Sequence, residues 1–178
     1  TAIGAYALTV NNADNNSSYQ LLQQHNDAVN YVTQHYQQYY KNLKVVDATF
    51  AVHNKGEDID FVNGNFASFT NFNLIPKLSE NNVVIKAKAE ADKQYKDISN
   101  KYFKSEGLVI CKDAFSEKKE FNLAYQVHLQ IKENLVDEIY YVDAITGKIL
   151  NKELKICHAN TTTAIAQTGY SGTQNYTN

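Results

Sequence analysis

From Leu123 to Ile131 the residues Leu123, Tyr125, Val127, Leu129 and Ile131 alternate with Ala124, Gln126, His128 and Gln130. That period of two belongs to a strand with one face buried. A polar turn at Lys132–Asn134 follows, and Ile139–Val142, rich in β-branched and aromatic residues, predicts a second strand. Asp143-Ala144-Ile145-Thr146-Gly147 predicts a turn with Gly at φ > 0. A third strand starts at Lys148 and leaves the sheet through Lys155-Ile156-Cys157-His158-Ala159-Asn160.

The first half shows the same period. Tyr19–Gln24 and Val29–Tyr40 predict strands, the second with Val32, Gln34, Tyr36, Gln38 and Tyr40 on one face. Lys41-Asn42-Leu43-Lys44 predicts a turn, and Val45–His53 a strand whose apolar face is Val46, Ala48, Phe50 and Val52. Asn54–Glu57 turns the chain into Ile59–Phe66. Residues 1–17 begin mildly apolar and pass through the polar tract Asn11–Asn16, expected to be a loop.

Only one stretch has helical spacing. Pro76 marks a junction, Ser79 is an expected N-cap, and Leu78 and Val83 stand where a hydrophobic staple would. Val84, Ala87, Ala91 and Tyr95 form the apolar stripe, with Lys86, Lys88, Lys93 and Lys96 on a solvated face. A Lys-rich stretch then leads to a strand at Leu108–Ile110.

Composition narrows the function classes. The 178 residues, 43% hydrophobic and 12% aromatic, fit one large or two small domains with a packed core. The net charge is −2 and all 17 cations are Lys, so the Arg usual in reading phosphates or base edges is missing and nucleic acid is a poor partner. No apolar run approaches a membrane span, and Ala2–Val10 lacks the initiating Met and basic flank of a signal peptide. Cys111 and Cys157 lie beside predicted strands, which leaves open a disulfide or two small buried hydrophobes.

Candidate chemistry is sparse. None of His25, His35, His53, His128 or His158 is followed by Glu, so no His-Glu-x-x-His is present, and neither Cys-x-x-Cys nor His-x-x-x-His accompanies the cysteines. His53 and His128 fall on polar strand faces, where a solvated or hydrogen-bonded role is expected. Asp58 with Asp60, and Asp137 with Glu138, read as ordinary acids at turns and strand ends. Gly-x-Ser-x-Gly is also missing, so no catalytic or metal-ligating residue and no cofactor is assigned to this segment.

Two resemblances add to this. The order Leu-Ala-Tyr-x-Val, then Tyr-Val-Asp-Ala-x-Thr-Gly-x-Ile-Leu, from Leu123 to Leu150, resembles the PepSY module that closes the propeptide of thermolysin-like zinc metalloproteases. Tyr36–Val45, Phe50-Ala51-Val52-His53 and Val62-Asn63-Gly64-Asn65-Phe66 resemble the fungalysin/thermolysin propeptide (FTP) motif that precedes it. The departure is at Leu43, Lys44 and Asp47, where family members commonly have Val-Pro and a Gly, and it leaves the turn type open. Thr168–Gln174 is similar to the opening of a catalytic domain in bacterial members.

The resemblance implies an α+β chain of two cystatin-like modules, each an antiparallel sheet packed with helix: FTP over 1–75 and PepSY over 76–157, then a cleavage segment and the start of a catalytic domain over 158–178. It implies a secreted propeptide that assists folding of its cognate catalytic domain and inhibits it until cut, zinc and calcium being expected in that domain. Leu154, Lys155, Ile156, Cys157, His158, Ala159 and Asn160 would be the cleft-binding segment. Thermolysin-like enzymes prefer an apolar residue after the scissile bond, which places processing at His158-Ala159, within a window from Lys155 to Thr163. The core faces are expected to be complete by Ile149. The alternative is a freestanding cystatin-like extracellular binding or inhibitor module.

Overall fold

The computed structural model describes residues 16–26, 31–56, 58–132, 136–155, 163–168 and 172–177. Its strands are β1 (Ser17–Asn26), β2 (Tyr31–Tyr40), β3 (Leu43–Lys55), β4 (Asp58–Gly64), β5 (Tyr102–Lys112), β6 (Phe121–Ile131), β7 (Val136–Asp143) and β8 (Ile149–Leu154). Together they form one eight-stranded sheet in the order β1-β2-β3-β5-β6-β7-β8, with β4 also paired to β3. One helix, α1 (Glu80–Gln94), lies between β4 and β5. A separate hairpin, β9 (Thr163–Thr168) and β10 (Gly172–Thr177), follows.

The β2–β3 hairpin closes in two residues, since Tyr40 pairs with Leu43. Lys41 and Asn42 have φ of 46° and 68°, so the turn is type I′, whose twist matches that of the flanking strands. Further along β3, Asp47 also lies in the left-handed region, with φ of 60°. That residue breaks the alternation. Ala48, Phe50 and Val52 stay on the expected face, but Val45 replaces Val46 beside Ala48, and Val46 turns to a cluster on the other side with Val109 and Cys111.

The break also interrupts pairing with β2, whose register jumps from Gln37↔Thr49 to Tyr39↔Lys44. Carbonyls freed inside a sheet need donors. The buried Gln37 amide supplies them, with Nε2 donating to the carbonyls of Val45 at 2.7 Å, Ala48 at 3.1 Å and Gln38 at 3.0 Å. Val45 bridges in parallel to Ile110 of β5, and this joins the two halves of the sheet.

The helix starts as its sequence predicts, Ser79 Oγ accepting from the Asn82 amide at 3.4 Å. Val83, Ala87 and Ala91 are fully buried against Leu123, Tyr125, Val127, Leu129 and Ile131 of β6 and Tyr140 and Val142 of β7. Val84 and Tyr95 sit at the margin of this contact, so the stripe is centred one residue earlier than its spacing suggested. Two alanines let the backbones approach closely, while Val83 contributes about 1.5–3 kcal/mol by its burial.

The opposite face of β5–β8 is also buried, because the sheet rolls. The backbone amide of Ala114, just past β5, donates to the Leu150 carbonyl of β8 at 2.8 Å, although β6 and β7 separate those strands in the sheet order. Val46, Val109, Cys111, Ala124, Ile139, Tyr141 and Leu150 pack inside the roll.

The expectation of two cystatin-like modules, each with its own helix and sheet, is overturned. β3 and β5, one from each expected module, pair within one continuous sheet, and among the described residues α1 is the only helix. The physical reason is that the first half covers its aromatic face with irregular chain. Phe66 stacks on Phe50 at 4.3 Å, and Ala67, Phe69, Phe72 and Leu74 pack on Tyr40 and Val45. Gln38, fully buried, fixes that covering segment by exchanging two 2.8 Å hydrogen bonds with the backbone of Ala67.

Substitution at Asp47 tests the break in β3. Asp47→Gly should stabilise the chain by about 0.5–1 kcal/mol, since Gly takes φ > 0 without a Cβ penalty, whereas β-branched Asp47→Val should destabilise it by more. Equilibrium denaturation of the three chains measures both, and equal midpoints would show that the break carries no strain.

Candidate functional site

The sequence points to the end of β8, and three local structures position that strand. First, the turn before it is closed by Asp143, whose Oδ1 accepts from the amides of Ile145 and Thr146 at 2.8 and 2.6 Å. Gly147 has the positive φ, 76°, expected of it, and Leu78 Cδ1 lies 3.2 Å from where a Cβ would stand. The Ala144 carbonyl accepts from the amides of Lys77 and Leu78 at 3.0 and 2.9 Å, which ties this turn to the start of α1.

Second, the loop after β5 grips the start of β8. Asp113 Oδ1 accepts from the Phe115 amide at 3.0 Å and its Oδ2 from the Lys148 ammonium. The hydrogen bond from Lys148 holds the Asp113 carboxyl below its usual 3.8, helped by the Phe115 amide and opposed by burial.

Third, charged side chains line both faces of the exit half of β8. On the helix face, Glu138 of β7 is 1% exposed and accepts from Tyr95 Oη at 2.7 Å and Tyr140 Oη at 2.8 Å, with Lys152 Nζ at 3.1 Å. Burial, first, and the neighbouring carboxylate, second, push the Tyr95 phenol up to about 12 and raise that of Tyr140 as well. Inside the roll, Tyr141 Oη donates to Glu153 Oε2 at 3.1 Å. Burial raises this phenol too, with Glu153 adding to the effect.

His128 lies on the same side of the sheet as the roll interior, between Asp137 and Glu106. Its Nε2 is hydrogen bonded to Asp137 Oδ1, and its Nδ1 stands 3.4 Å from Glu106 Oε1. Despite opposing burial, His128, Gln130 and Lys155 together hold the Asp137 carboxyl below its ordinary value. The backbone carbonyl of Asp137 accepts from the Lys155 amide at 2.8 Å, so this row ends where the chain leaves the sheet.

Of the predicted cleft segment, Leu154 ends β8 with 71% of its surface exposed and Lys155 is exposed beside it. Ile156, Cys157, His158, Ala159 and Asn160 lie outside the described residues, and with them the processing bond and one cysteine of the candidate disulfide. Cys111 is buried inside the roll, its thiol donating to the Lys112 carbonyl at 3.2 Å. Burial pushes this thiol up to about 12, and Asp47, Glu153, Asp113 and Asp143 add to the shift.

Two expectations change. Asp137 and Glu138 are not ordinary strand-end acids, since one pairs with His128 and the other is buried in the helix–sheet core. Nor is the core complete by Ile149, because Leu150 is 2% exposed inside the roll. The signal for Glu138 was available: it has the same parity along β7 as the buried Tyr140 and Val142. His53 stacks on Phe61 at 4.0 Å and hydrogen bonds to Thr33 Oγ1 and Asn63 Oδ1, in keeping with a structural role. Among the described residues no helix is long and apolar enough to cross a membrane.

Comparison with known proteins places a family motif on the first half of this architecture. Residues 17–66 match the Fungalysin/Thermolysin Propeptide Motif, a span that opens with β1 and closes just past β4. The match supports a propeptide, non-catalytic in itself, of a fungalysin/thermolysin-type protease precursor, and implies association with a protease catalytic domain. No curated protein matches the chain.

The grip on the start of β8 predicts a pH dependence. A carboxyl with a lowered pKa contributes stability that is complete above 3.8 and is lost as pH falls through the folded value. Asp113→Asn should therefore cost about 1 kcal/mol at neutral pH. The gap from the parent chain should narrow as pH drops below 3.8, and melting temperatures from pH 7 to acid measure it. A gap independent of pH would show that the loss does not come from the charge of the carboxylate.

Proposed function

We propose that this chain is the propeptide of a secreted thermolysin-like zinc metalloendopeptidase, acting as intramolecular folding chaperone and as inhibitor of the cognate catalytic domain until it is cleaved. The observation that carries this reading is the propeptide motif over β1–β4. The resemblance of residues 123–150 to PepSY extends it to the second half, with 1–75 as the FTP module, 76–157 as the PepSY module and 158–178 as cleavage segment and start of the catalytic domain. Zinc and calcium belong to that catalytic domain.

The mechanism starts from β8, the last strand of the sheet, which the cleft-binding segment continues in sequence. A surface that binds the folded enzyme, and a folding transition state resembling it, stabilises both relative to unfolded chain. The segment Leu154–Asn160 is assigned to the partner's cleft, where a peptide binds as an added strand through main-chain hydrogen bonds. His158 and Ala159 flank the bond assigned to processing. After cleavage there, His158 would carry both a carboxylate and an imidazole able to approach zinc.

Because Leu150 and Lys152 are part of the packed sheet, the informative truncation ends at Lys155 rather than at Ile149. The shortened chain should keep its melting temperature within a few degrees and lose about tenfold or more of its inhibition of the catalytic domain in trans. Equal inhibition by both lengths would overturn the cleft assignment.

N-terminal sequencing of the matured enzyme locates the cut. A start at Ala159 agrees with the assignment; one beyond Thr163 rejects it together with the proposed role of His158.

A further inference from the structure

The exit half of β8 is attached in an unusual way. The only buried apolar side chain of β8 is Leu150, near the start of the strand, while Leu154 at the end is 71% exposed. Between them Lys152 reaches the helix face, where Nζ donates to Gln94 Oε1 at 2.6 Å and stands 3.1 Å from Glu138 Oε1. The same ammonium lies 5.7 Å from the ring centre of Tyr95 and 5.3 Å from that of Tyr140. Every one of these partners is on α1, just beyond it, or on β7.

The Glu138 carboxylate makes this contact matter. Its side chain is 2% exposed, its other donors are the neutral hydroxyls of Tyr95 and Tyr140, and Lys152 is its cation among the described residues. A carboxylate left in such surroundings without a cation is strongly disfavoured. Lifting the strand at Lys152 therefore strands a buried charge until water reaches it. Peeling residues 151–155 gives up the ladder to β7, the Lys155 amide bond to Asp137 and the Tyr141–Glu153 bond, but little apolar burial. Of their side-chain contacts, the one to buried Glu138 is the costliest to break.

We propose that Lys152 is a latch that holds the exit half of β8 on the sheet through charge, and that release of the latch opens residues 151–155 locally while the rest of the sheet stays folded. The purpose assigned to this opening, giving a protease access to the segment that follows, rests on the propeptide reading above. The latch itself does not.

Amide hydrogen exchange on the full chain, resolved by residue, tests the latch without any protease. In Lys152→Met, which keeps the aliphatic stem and removes the charge, the amides of residues 151–155 should exchange about tenfold faster or more, while those of Val127 and Leu129 in β6 keep their protection. Lys93→Met, which removes an exposed charge from the nearby end of α1, should change neither set. If Lys152→Met does not fold, Gln94→Ala removes one acceptor of the ammonium, leaves the Glu138 pair in place, and should show the same local effect in smaller degree. Equal acceleration in β8 and β6, or no change in β8, overturns the latch. A second arm adds the cognate catalytic domain: local opening without faster cleavage at His158-Ala159 would leave the latch standing and remove its link to processing.

Discussion

A non-glycine residue in the left-handed region inside a strand costs about 1–2 kcal/mol, and β3 carries one at Asp47. The sheet depends on that break. It turns Val46 into the roll while Val45 and Ala48 share the opposite cluster, so one strand feeds two cores. It also frees backbone groups of residues 45–48 from β2, leaving Val45 to bridge Ile110. Without the Gln37 amide, the carbonyls of Val45 and Ala48 would lose a buried donor, a loss comparable to the whole cost of the break.

Two pairs of polar groups in the sheet differ in what they hold. Gln37 and Gln38 are neutral amides that bond mainly to backbone, with one further bond from Gln38 to Ser17 Oγ, and they fix a strand break and a covering loop. Glu138 and Lys152 are charged, and they hold a side-chain contact across β7, β8 and the end of α1. Neutral amides have no protonation state to change and no strong demand for a counter-charge, which suits permanent joints. An ion pair loses most of its value when either member leaves, which suits a contact made and broken as a unit.

Much of this was legible in the chain. Period-two alternation located β1–β4 and β6 to within a few residues. In contrast, β5 and β7, buried on both faces at their apolar ends, showed only short apolar runs, and β5 starts six residues before the predicted Leu108. Ser79 and Gly147 announced the helix start and the turn through local backbone chemistry alone. The joining of the halves was not legible, since the Val45–Ile110 bridge links residues distant in sequence. Asp47 was visible as a departure from the family pattern, but nothing local in an Asp says that it will adopt φ of 60° and shift the alternation by one. Glu138 was misread for a simpler reason: its position beside a turn outweighed its parity along the strand.

The single parallel bridge between Val45 and Ile110 also bears on folding. The pairings β1–β2–β3–β4 and β5–β6–β7–β8 each join neighbours in sequence and close short loops. The seam between them closes a far longer one, which includes α1, and gains little until both sides are formed. Loop-closure entropy therefore favours local pairing within each half over the seam, and the contact between Val46 and Cys111 is among the costliest for the chain to form.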